Sequence, residues 1–340
     1  MYSDADLTDA VVSGAISQQA ADALRAFVAS RQTTSTVDEE QFRLLTGFND
    51  IFVSIATILL LTSAWWLANS VKPILGAATL AVLSWPLAEY FTRRRRMALP
   101  SILLLGSFTF GIFSFGLGLA AIAIPHAMGP DANTWPIVVG AVVAVAATAL
   151  HWRRFHVPIT IAAGAIASVG AAIAMLLSIR PNLERGTMVA VLICGLGVFV
   201  LAMWWDMSDR ARTAHRSDVA FWLHLCAAPL IVHPAFKLLG LLDNDGTDLG
   251  RAAVAVGIYG MLAVVALVVD RRALLVSALF YVLYAISALL KAVGALSFSL
   301  ALTALVAGSA LLLLSAFWQP TRRAVLAAMP ASLRARVPAA

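Results

Sequence analysis

Long uninterrupted runs of apolar residues dominate the chain from about residue 50 to residue 317. About 20 apolar residues cross the hydrocarbon core of a bilayer as a helix, since each residue rises about 1.5 Å through about 30 Å. The runs predict ten membrane-spanning helices, at residues 50–68, 73–91, 100–124, 135–150, 157–179, 187–205, 219–242, 252–269, 273–290 and 297–317. The pattern therefore predicts an all-α, polytopic membrane helical bundle.

Before the first span, the residues have the pattern of a small segment exposed to water. Ser3 and Asp6 have the spacing of a capping box that opens a short helix, and Gly14 is suited to end that helix. Ser17 is placed to cap a second helix, and a polar linker is predicted at residues 31–37. A third helix is predicted to begin at the acidic residues that follow and to lead into the first span.

This pattern divides the chain into three parts. Residues 1–48 form a cytosolic N-terminal helical segment, residues 49–317 form the transmembrane domain, and residues 318–340 form a basic cytosolic C-terminal tail. The N-terminus is acidic, whereas a secretory signal begins with basic residues and continues with apolar ones. The first apolar run, near Ile51, is therefore expected to act as an uncleaved insertion signal.

The composition also favours a membrane location. Of the 340 residues, 61% are hydrophobic and 12% are charged, whereas an average soluble domain carries about 25% charged residues. A transmembrane β-barrel would show segments of about ten alternating residues, and this sequence has long apolar runs instead. Cys194 and Cys226 lie inside those runs, at a spacing that suits neither a disulfide framework nor a metal site.

The distribution of Lys and Arg between the loops predicts the orientation, because cytosolic loops are enriched in these residues. With the N-terminus inside, the cytosolic loops carry eleven arginines and the opposite loops carry five basic residues. The five are Lys72, Arg180, Arg185, Arg251 and Lys291, and the eleven are Arg93, Arg94, Arg95, Arg96, Arg153, Arg154, Arg210, Arg212, Arg216, Arg271 and Arg272. Both termini are therefore predicted to lie in the cytosol. The Ala- and Arg-rich composition further suggests a bacterial inner (cytoplasmic) membrane.

The seventh predicted span holds the most informative polar residues. His224, His233 and Lys237 lie in it, and Pro229 and Pro234 are predicted to kink it. Ionisable groups inside a membrane are costly and are usually functional or paired, while prolines free backbone carbonyls. Two interpretations stay open: a polar midplane cavity, or structural hydrogen bonds in a kinked helix with Lys237 reaching to the interface.

Further polar candidates lie at the ends of the first two spans. Glu89 follows Pro86, a third predicted kink, and Arg93 lies one helical turn further on. This spacing favours an interfacial ion pair, and a buried carboxylate for proton or cation coupling is the alternative. Asn49 and Asp50 stand at the mouth of the first span, where they either cap the helix or contact another span.

Basic residues on the predicted cytosolic face favour contact with anionic lipids. Those singled out are Arg93, Arg94, Arg95, Arg96, Arg153 and Arg154. Interleaved with aromatic residues, such arginines suit anionic headgroups and interfacial aromatic belts. A role in setting topology explains them as well, and neither interpretation needs nucleic acid. No spacing supports a metal site formed by His151, His156 and His215.

Motifs of established catalytic chemistry do not occur in the sequence. It contains no phosphate-binding glycine loop, zinc-protease motif, nucleophile elbow or Cys-X-X-Cys motif. The sequence therefore predicts no cofactor, and gives no indication of an enzyme. Two function classes stay open. One is a secondary transporter or permease with a polar cavity in the seventh span. The alternative is a non-catalytic membrane subunit or scaffold that docks a protein partner through its N-terminal helices.

A short stretch near the N-terminus carries a family resemblance. Residues 11–20 read Val-Val-Ser-Gly-Ala-Ile-Ser-Gln-Gln-Ala. In the related pattern a hydrophobic residue is followed by Gly, then by Ile or Leu, then by Ser or Thr, and after three further residues by Ala. This chain has one extra residue, Ala15, between Gly14 and Ile16. The chain thereby resembles a loose group of uncharacterised bacterial polytopic inner-membrane proteins with a short N-terminal cytosolic helical hairpin. The resemblance implies an architecture and no activity.

Overall fold

The structure, a computed structural model, describes residues 4–35, 48–123, 134–209, 215–240, 249–272 and 299–334, together with the single positions 274, 275, 279, 283, 286 and 337. Every element of regular structure within these residues is a helix. The predicted all-α class is therefore confirmed for this part of the chain. The chain separates into two compact units, Met1–Phe42 and Arg43–Ala340.

The first unit contains a helical hairpin. Its described helices are α1 (Asp4–Val12) and α2 (Gln18–Ser35). Between them Gly14 takes a left-handed conformation, with φ at 73°, as glycine commonly does after a helix. The Ala20 N–H donates to Ser17 Oγ at 3.1 Å, so Ser17 caps α2 as predicted.

The linker predicted at residues 31–37 is wrong over residues 31–35, which continue α2. The stretch contains no Gly or Pro, and Arg, Gln, Ser and Thr are each less than about 1 kcal/mol worse than Ala in a helix. Polarity alone therefore does not end this helix. The third predicted helix begins outside the described residues.

The second unit contains the apolar helices. Among the described residues, seven helices are long and apolar enough to cross a bilayer. They are α3 (Phe48–Val71), α4 (Pro73–Ala88) with a π-helix (Glu89–Arg94) that continues it, α5 (Ala98–Ala123), α6 (Trp135–Phe155), α7 (Ile159–Ile179), α8 (Glu184–Ser208) and α9 (His215–Leu238). They coincide with the first seven predicted spans. The chain is therefore a multi-pass membrane protein.

The last three predicted spans are described less completely. α10 (Leu249–Val269) covers the eighth, with a shorter apolar part at Ala253–Val269. The ninth, at residues 273–290, lies mostly outside the described residues. The tenth contains α11 (Ser299–Ala316), which α12 (Trp318–Ala327) follows at a bend of 72°; α13 (Ala331–Arg334) comes last. Ten spans with both termini inside stay a prediction.

Prolines and left-handed residues set several helix boundaries. Pro73 begins α4 and Pro136 lies in the first turn of α6, where a missing N–H removes no helical hydrogen bond. His156 ends α6 with φ at 53°, and Asp270 follows α10 with φ at 59°. The turn at Asp270 matters most, because it directs Arg271 towards α8 and α9.

Helices that are adjacent in sequence pack against each other from α3 to α7, and α8 packs along α9. Glycines permit some close approaches: a Cβ on Gly111 would lie 2.7 Å from Ala81 N, and a Cβ on Gly140 would lie 2.7 Å from Phe113 O. α7, α8 and α9 together bury a core of small and branched side chains. Its members are Ala162, Val198, Ala202, Val219, Leu223 and Ala227.

Candidate functional site

Three ionisable side chains meet in the buried seam between α8, α9 and the turn after α10. His224 Nε2 lies 2.9 Å from Asp206 Oδ2. Arg271 donates to the same carboxylate, from Nη2 to Oδ1 at 2.5 Å and from Nε to Oδ2 at 3.3 Å. The three side chains are at most 3% exposed. Asp206, His224 and Arg271 together form an ionic centre.

A different segment of the chain positions each member of the ionic centre. Asp206 lies in the last turn of α8, and His224 lies in the interior of α9. Arg271 directly follows Asp270, whose left-handed backbone ends α10, and the Arg271 N–H donates to the Ala266 carbonyl at 2.9 Å. The ionic centre therefore ties two helices and one inter-helical turn together.

Hydrogen bonds surround both charges of the ionic centre. Besides its bonds to Asp206, Arg271 Nη2 donates to Ser217 O at 3.1 Å and to Ser217 Oγ at 3.3 Å. Buried ions are tolerated only when they are paired and hydrogen-bonded in this way. With a neutral imidazole, the charges of Asp206 and Arg271 cancel. One additional proton, held on the carboxylate or on His224, gives the centre a single positive charge.

A second polar cluster lies on the same turn. Asp270 accepts a hydrogen bond from Trp318 Nε1 at 2.7 Å and forms an ion pair with Arg322 at 3.7 Å. Arg322 Nε donates to the Leu267 carbonyl at 3.1 Å, and the Arg322 side chain is 1% exposed. The Arg272 guanidinium lies 5.1 Å from the centroid of the Trp318 ring. The predicted basic tail thus includes a helix, α12, and these contacts hold it against the end of α10.

The polar residues of the seventh predicted span fall in two environments. His224 is fully buried in the ionic centre, whereas His233 and Lys237 are exposed on α9. The nine residues from His224 to His233 correspond to about 13 Å along a helix. The structure therefore does not bring the two histidines together around one site.

Pro229 and Pro234 lie inside α9, which continues as one α-helix through both. Because a proline lacks the N–H that would bond the carbonyl four residues earlier, Pro234 frees the Leu230 carbonyl. That carbonyl lies against Gly195 of α8, where a Cβ would be 2.7 Å from Leu230 O. The facing helix therefore has a glycine, Gly195, next to the carbonyl that Pro234 frees. Both residues lie in the α8–α9 seam.

A second ionic network joins the end of α4 to α6. Arg154 donates to both carboxylate oxygens of Glu89, from Nε at 2.5 Å and from Nη2 at 3.1 Å. Arg93 Nη1 donates to the same carboxylate at 3.3 Å. Glu89 is the first residue of the π-helix, three residues after Pro86. The structure therefore combines the Glu89–Arg93 pair with an arginine from another helix.

At the start of α3, Asp50 is buried and Asn49 is exposed. The Asp50 carbonyl accepts a hydrogen bond from Ser54 Oγ at 2.6 Å, and Ser54 and Thr57 are buried too. These polar residues follow one face of α3. Asp50 therefore lies inside the helix bundle rather than at its surface.

His151 of α6 is a second buried histidine. Its Nδ1 shares a hydrogen bond with Thr160 Oγ1 at 3.2 Å. Its ring packs against Phe155, Phe108 and Trp85, with centroid distances of 4.6, 5.9 and 6.3 Å. Within the part of the chain that the structure describes, no group of three or more His, Cys, Asp or Glu side chains is placed to hold a metal ion. The surroundings of His151 are those of an aromatic packing cluster.

Asp206, Arg271 and Arg322 were not predicted as site residues, because the sequence pattern places the two arginines in a loop and in the tail. One usable signal was present: Asp206 directly follows an apolar run, and a histidine inside a span needs a partner. The identity of the partners was not readable, since Asp206 and Arg271 are 65 positions apart.

Comparison of the chain with protein-family models, with curated proteins and with solved structures finds no match. No relative therefore lends an activity to this chain. Its function has to be argued from the membrane architecture and from the ionic centre.

Proposed function

We propose that the protein is a proton-coupled secondary transporter of the bacterial inner membrane, and that the ionic centre is its coupling site. The observation that carries this proposal is the burial of Asp206, His224 and Arg271 within a multi-pass membrane protein. Ionisable groups inside membrane spans pair with one another and mark paths of ions or protons. In this centre, pairing and proton binding use the same carboxylate.

The chemistry of the centre links a proton to the contacts between helices. An ionised Asp206 accepts hydrogen bonds from His224 and Arg271 and holds their segments together. A proton on the carboxylate weakens its attraction for Arg271, and a proton on the imidazole adds a second cation. In both cases a positive charge is added to a buried site, which favours an arrangement in which water reaches the charge. Protonation therefore shifts the equilibrium towards an opened seam.

A shift of this kind is what alternating access requires. A proton that enters from one side opens the seam, and its release to the other side restores the Asp206–Arg271 pair. A solute that binds only one of the two arrangements is then coupled to the proton, because a ligand shifts a conformational equilibrium by its differential affinity. The proton gradient is thereby the driving force, and solute movement follows from it.

Liposomes that contain the full chain and a trapped pH-sensitive dye test this proposal. Sugars, amino acids, carboxylates and organic cations are added outside in turn, and at least one class is expected to drive proton movement. Asp206→Asn, which keeps the shape of the side chain but cannot ionise, is expected to abolish that movement. Glu184→Gln, a carboxylate change at the exposed start of α8, is the matched control and retains it. Proton movement that is undiminished in Asp206→Asn, or missing for every class, contradicts the proposal.

A scaffold or subunit function is the second candidate, and the separate N-terminal unit favours it. Met1–Phe42 forms a compact unit of its own, in which Arg25 of α2 donates to Thr8 of α1 at 3.5 Å. Val12, at the end of α1, is 82% exposed. Deleting residues 1–36 separates the candidates. A scaffold loses its co-purifying protein partner, whereas a transporter keeps its dye-detected proton movement.

A further inference from the structure

An arginine-rich rim lies where α4 and α6 end. The Glu89–Arg154 hydrogen bonds hold the π-helix and the end of α6 together. The residues next to this contact are therefore close in space as well. The exposed arginines that result are Arg93, Arg94, Arg95, Arg96 and Arg153.

Only some of these arginines form hydrogen bonds or ion pairs with other side chains of the protein. Arg93 and Arg154 share the Glu89 carboxylate. Arg95 donates to the Tyr90 hydroxyl from Nη2 at 3.1 Å and from Nε at 3.3 Å, and its guanidinium lies 5.6 Å from the centroid of the Tyr90 ring. One carboxylate thus accepts hydrogen bonds from two guanidinium groups, and a neutral phenol accepts hydrogen bonds from a third.

The other three guanidinium groups are open to a ligand. In the part of the chain that the structure describes, the guanidinium groups of Arg94, Arg96 and Arg153 take part in no hydrogen bond or ion pair. Arg96 has a left-handed backbone, with φ at 52°, which turns the chain sharply between the π-helix and α5. The three residues stand at the ends of helices that are apolar along the rest of their length.

We infer that this rim binds the phosphate of an anionic phospholipid. Guanidinium groups bind phosphate oxygens in a bidentate geometry, and unpaired arginines at the end of apolar helices lie at the depth of the lipid headgroups. Val82 of α4 and Phe110 of α5 are 68% and 56% exposed, so these helices offer apolar surface to acyl chains, which a free phosphate ion does not have. Tyr90, 42% exposed, has the amphipathic ring typical of this interface. The inference does not depend on the transport proposal.

Native mass spectrometry of the full chain in mixed micelles tests the inference. Phosphatidylglycerol is titrated against an excess of phosphatidylcholine, and its retention by the protein is quantified. Retention of phosphatidylglycerol over phosphatidylcholine is expected for the unaltered chain. Replacing one free arginine by glutamine is expected to weaken retention about fivefold, and Arg94→Gln, Arg96→Gln and Arg153→Gln together by on the order of a hundredfold.

A control variant removes the same charge elsewhere. Lys72→Gln, Arg180→Gln and Arg185→Gln act on three exposed basic residues on the predicted opposite face. This triple variant is expected to change retention by about twofold or less, because the remaining effect is a screened long-range one. Equal losses in the two triple variants, or no loss in the first, would overturn the inference. Competition by inorganic phosphate as effective as that by phosphatidylglycerol would overturn the lipid assignment.

A third variant covers the case in which the glutamine triple fails to insert, since arginines also direct topology. Arg94→Lys, Arg96→Lys and Arg153→Lys keep the charges but remove the bidentate geometry. This variant is expected to insert normally and to retain phosphatidylglycerol about tenfold less tightly than the unaltered chain. Unchanged retention in the lysine variant would overturn a site built from guanidinium groups.

Discussion

The two ionic networks of this protein use the same chemistry in opposite surroundings. In each, one carboxylate is shared by an arginine from a distant part of the chain and by a second basic group. The side chains of the Glu89 network are 30–55% exposed, and those of the ionic centre are at most 3% exposed. Water and salt screen the first network, whereas the second is shielded from both and joins three segments of the chain. Burial, rather than residue type, makes only one of them a candidate switch.

The largest effect that follows from this difference is expected for Arg271→Ala. The substitution leaves the Asp206 carboxylate buried without its cation, which typically destabilises a protein by about 3–5 kcal/mol. Denaturant titration in detergent micelles measures the change in the free energy of unfolding. Replacing the whole centre by apolar side chains, with Asp206→Leu, His224→Leu and Arg271→Met together, is expected to recover most of the loss. A loss below about 1 kcal/mol for Arg271→Ala would show that the ionic centre stabilises the protein no more than an ordinary surface ion pair does.

The next effect concerns the contacts of Arg322 in α12 with Leu267 and Asp270 at the end of α10, which form a clasp between the two helices. Arg322→Ala removes a buried cation from the Leu267 carbonyl and from Asp270, and charge-assisted hydrogen bonds contribute about 1.5–3 kcal/mol each. The adjacent Arg323 is exposed, so Arg323→Ala is a matched control with an expected change within about 0.5 kcal/mol. Similar unfolding midpoints for the two variants would show that the clasp contributes nothing to stability.

Packing in the α8–α9 seam is expected to be nearly as sensitive. Gly195→Ala places a methyl group 2.7 Å from the Leu230 carbonyl oxygen, and overpacking of this kind costs about 1–3 kcal/mol. A Cβ on Gly197 of the same helix meets nothing within 4 Å, so Gly197→Ala is the control and is expected to be neutral or slightly stabilising. Equal thermal stability of the two variants would mean that Gly195 does not set the distance between α8 and α9.

The smallest effect is expected at the exposed network. Arg154→Gln removes the main partner of Glu89, but water replaces the lost hydrogen bonds. The unfolding midpoint is expected to fall slightly at low salt and to be unchanged at physiological salt, where surface charges are screened. A loss comparable to that of Arg271→Ala at both salt concentrations would erase the distinction between the two networks.

Features that depend on residues close in sequence were predictable. Ser17 caps α2 and Gly14 turns the chain because each acts on backbone groups within a few residues. The first seven spans were predictable as well, since a bilayer imposes a minimum length on any apolar helix. The same local reasoning wrongly ended α2 before residues 31–35, because polar composition was taken as a helix break.

The partners inside the candidate site could not be predicted, for a physical reason. Asp206, Arg271 and Arg322 sit at helix ends, where charged residues are normally solvated or topogenic. Whether such a residue is buried depends on how distant segments pack. The left-handed turn at Asp270 and the bend before α12 bring these charges inside, and no short-range pattern in the sequence encodes either feature.

The most direct test of proton-driven opening is hydrogen–deuterium exchange of α8 and α9 in detergent micelles at mildly acidic and mildly alkaline pH, corrected for the intrinsic pH dependence of amide exchange. Acid is expected to speed exchange at the α8–α9 seam of the unaltered chain. Asp206→Asn, which removes the charge permanently, is expected to exchange fast at both pH values. Exchange that does not respond to pH, or that is the same in Asp206→Asn and in the unaltered chain, would contradict the claim that a proton on the ionic centre opens the seam.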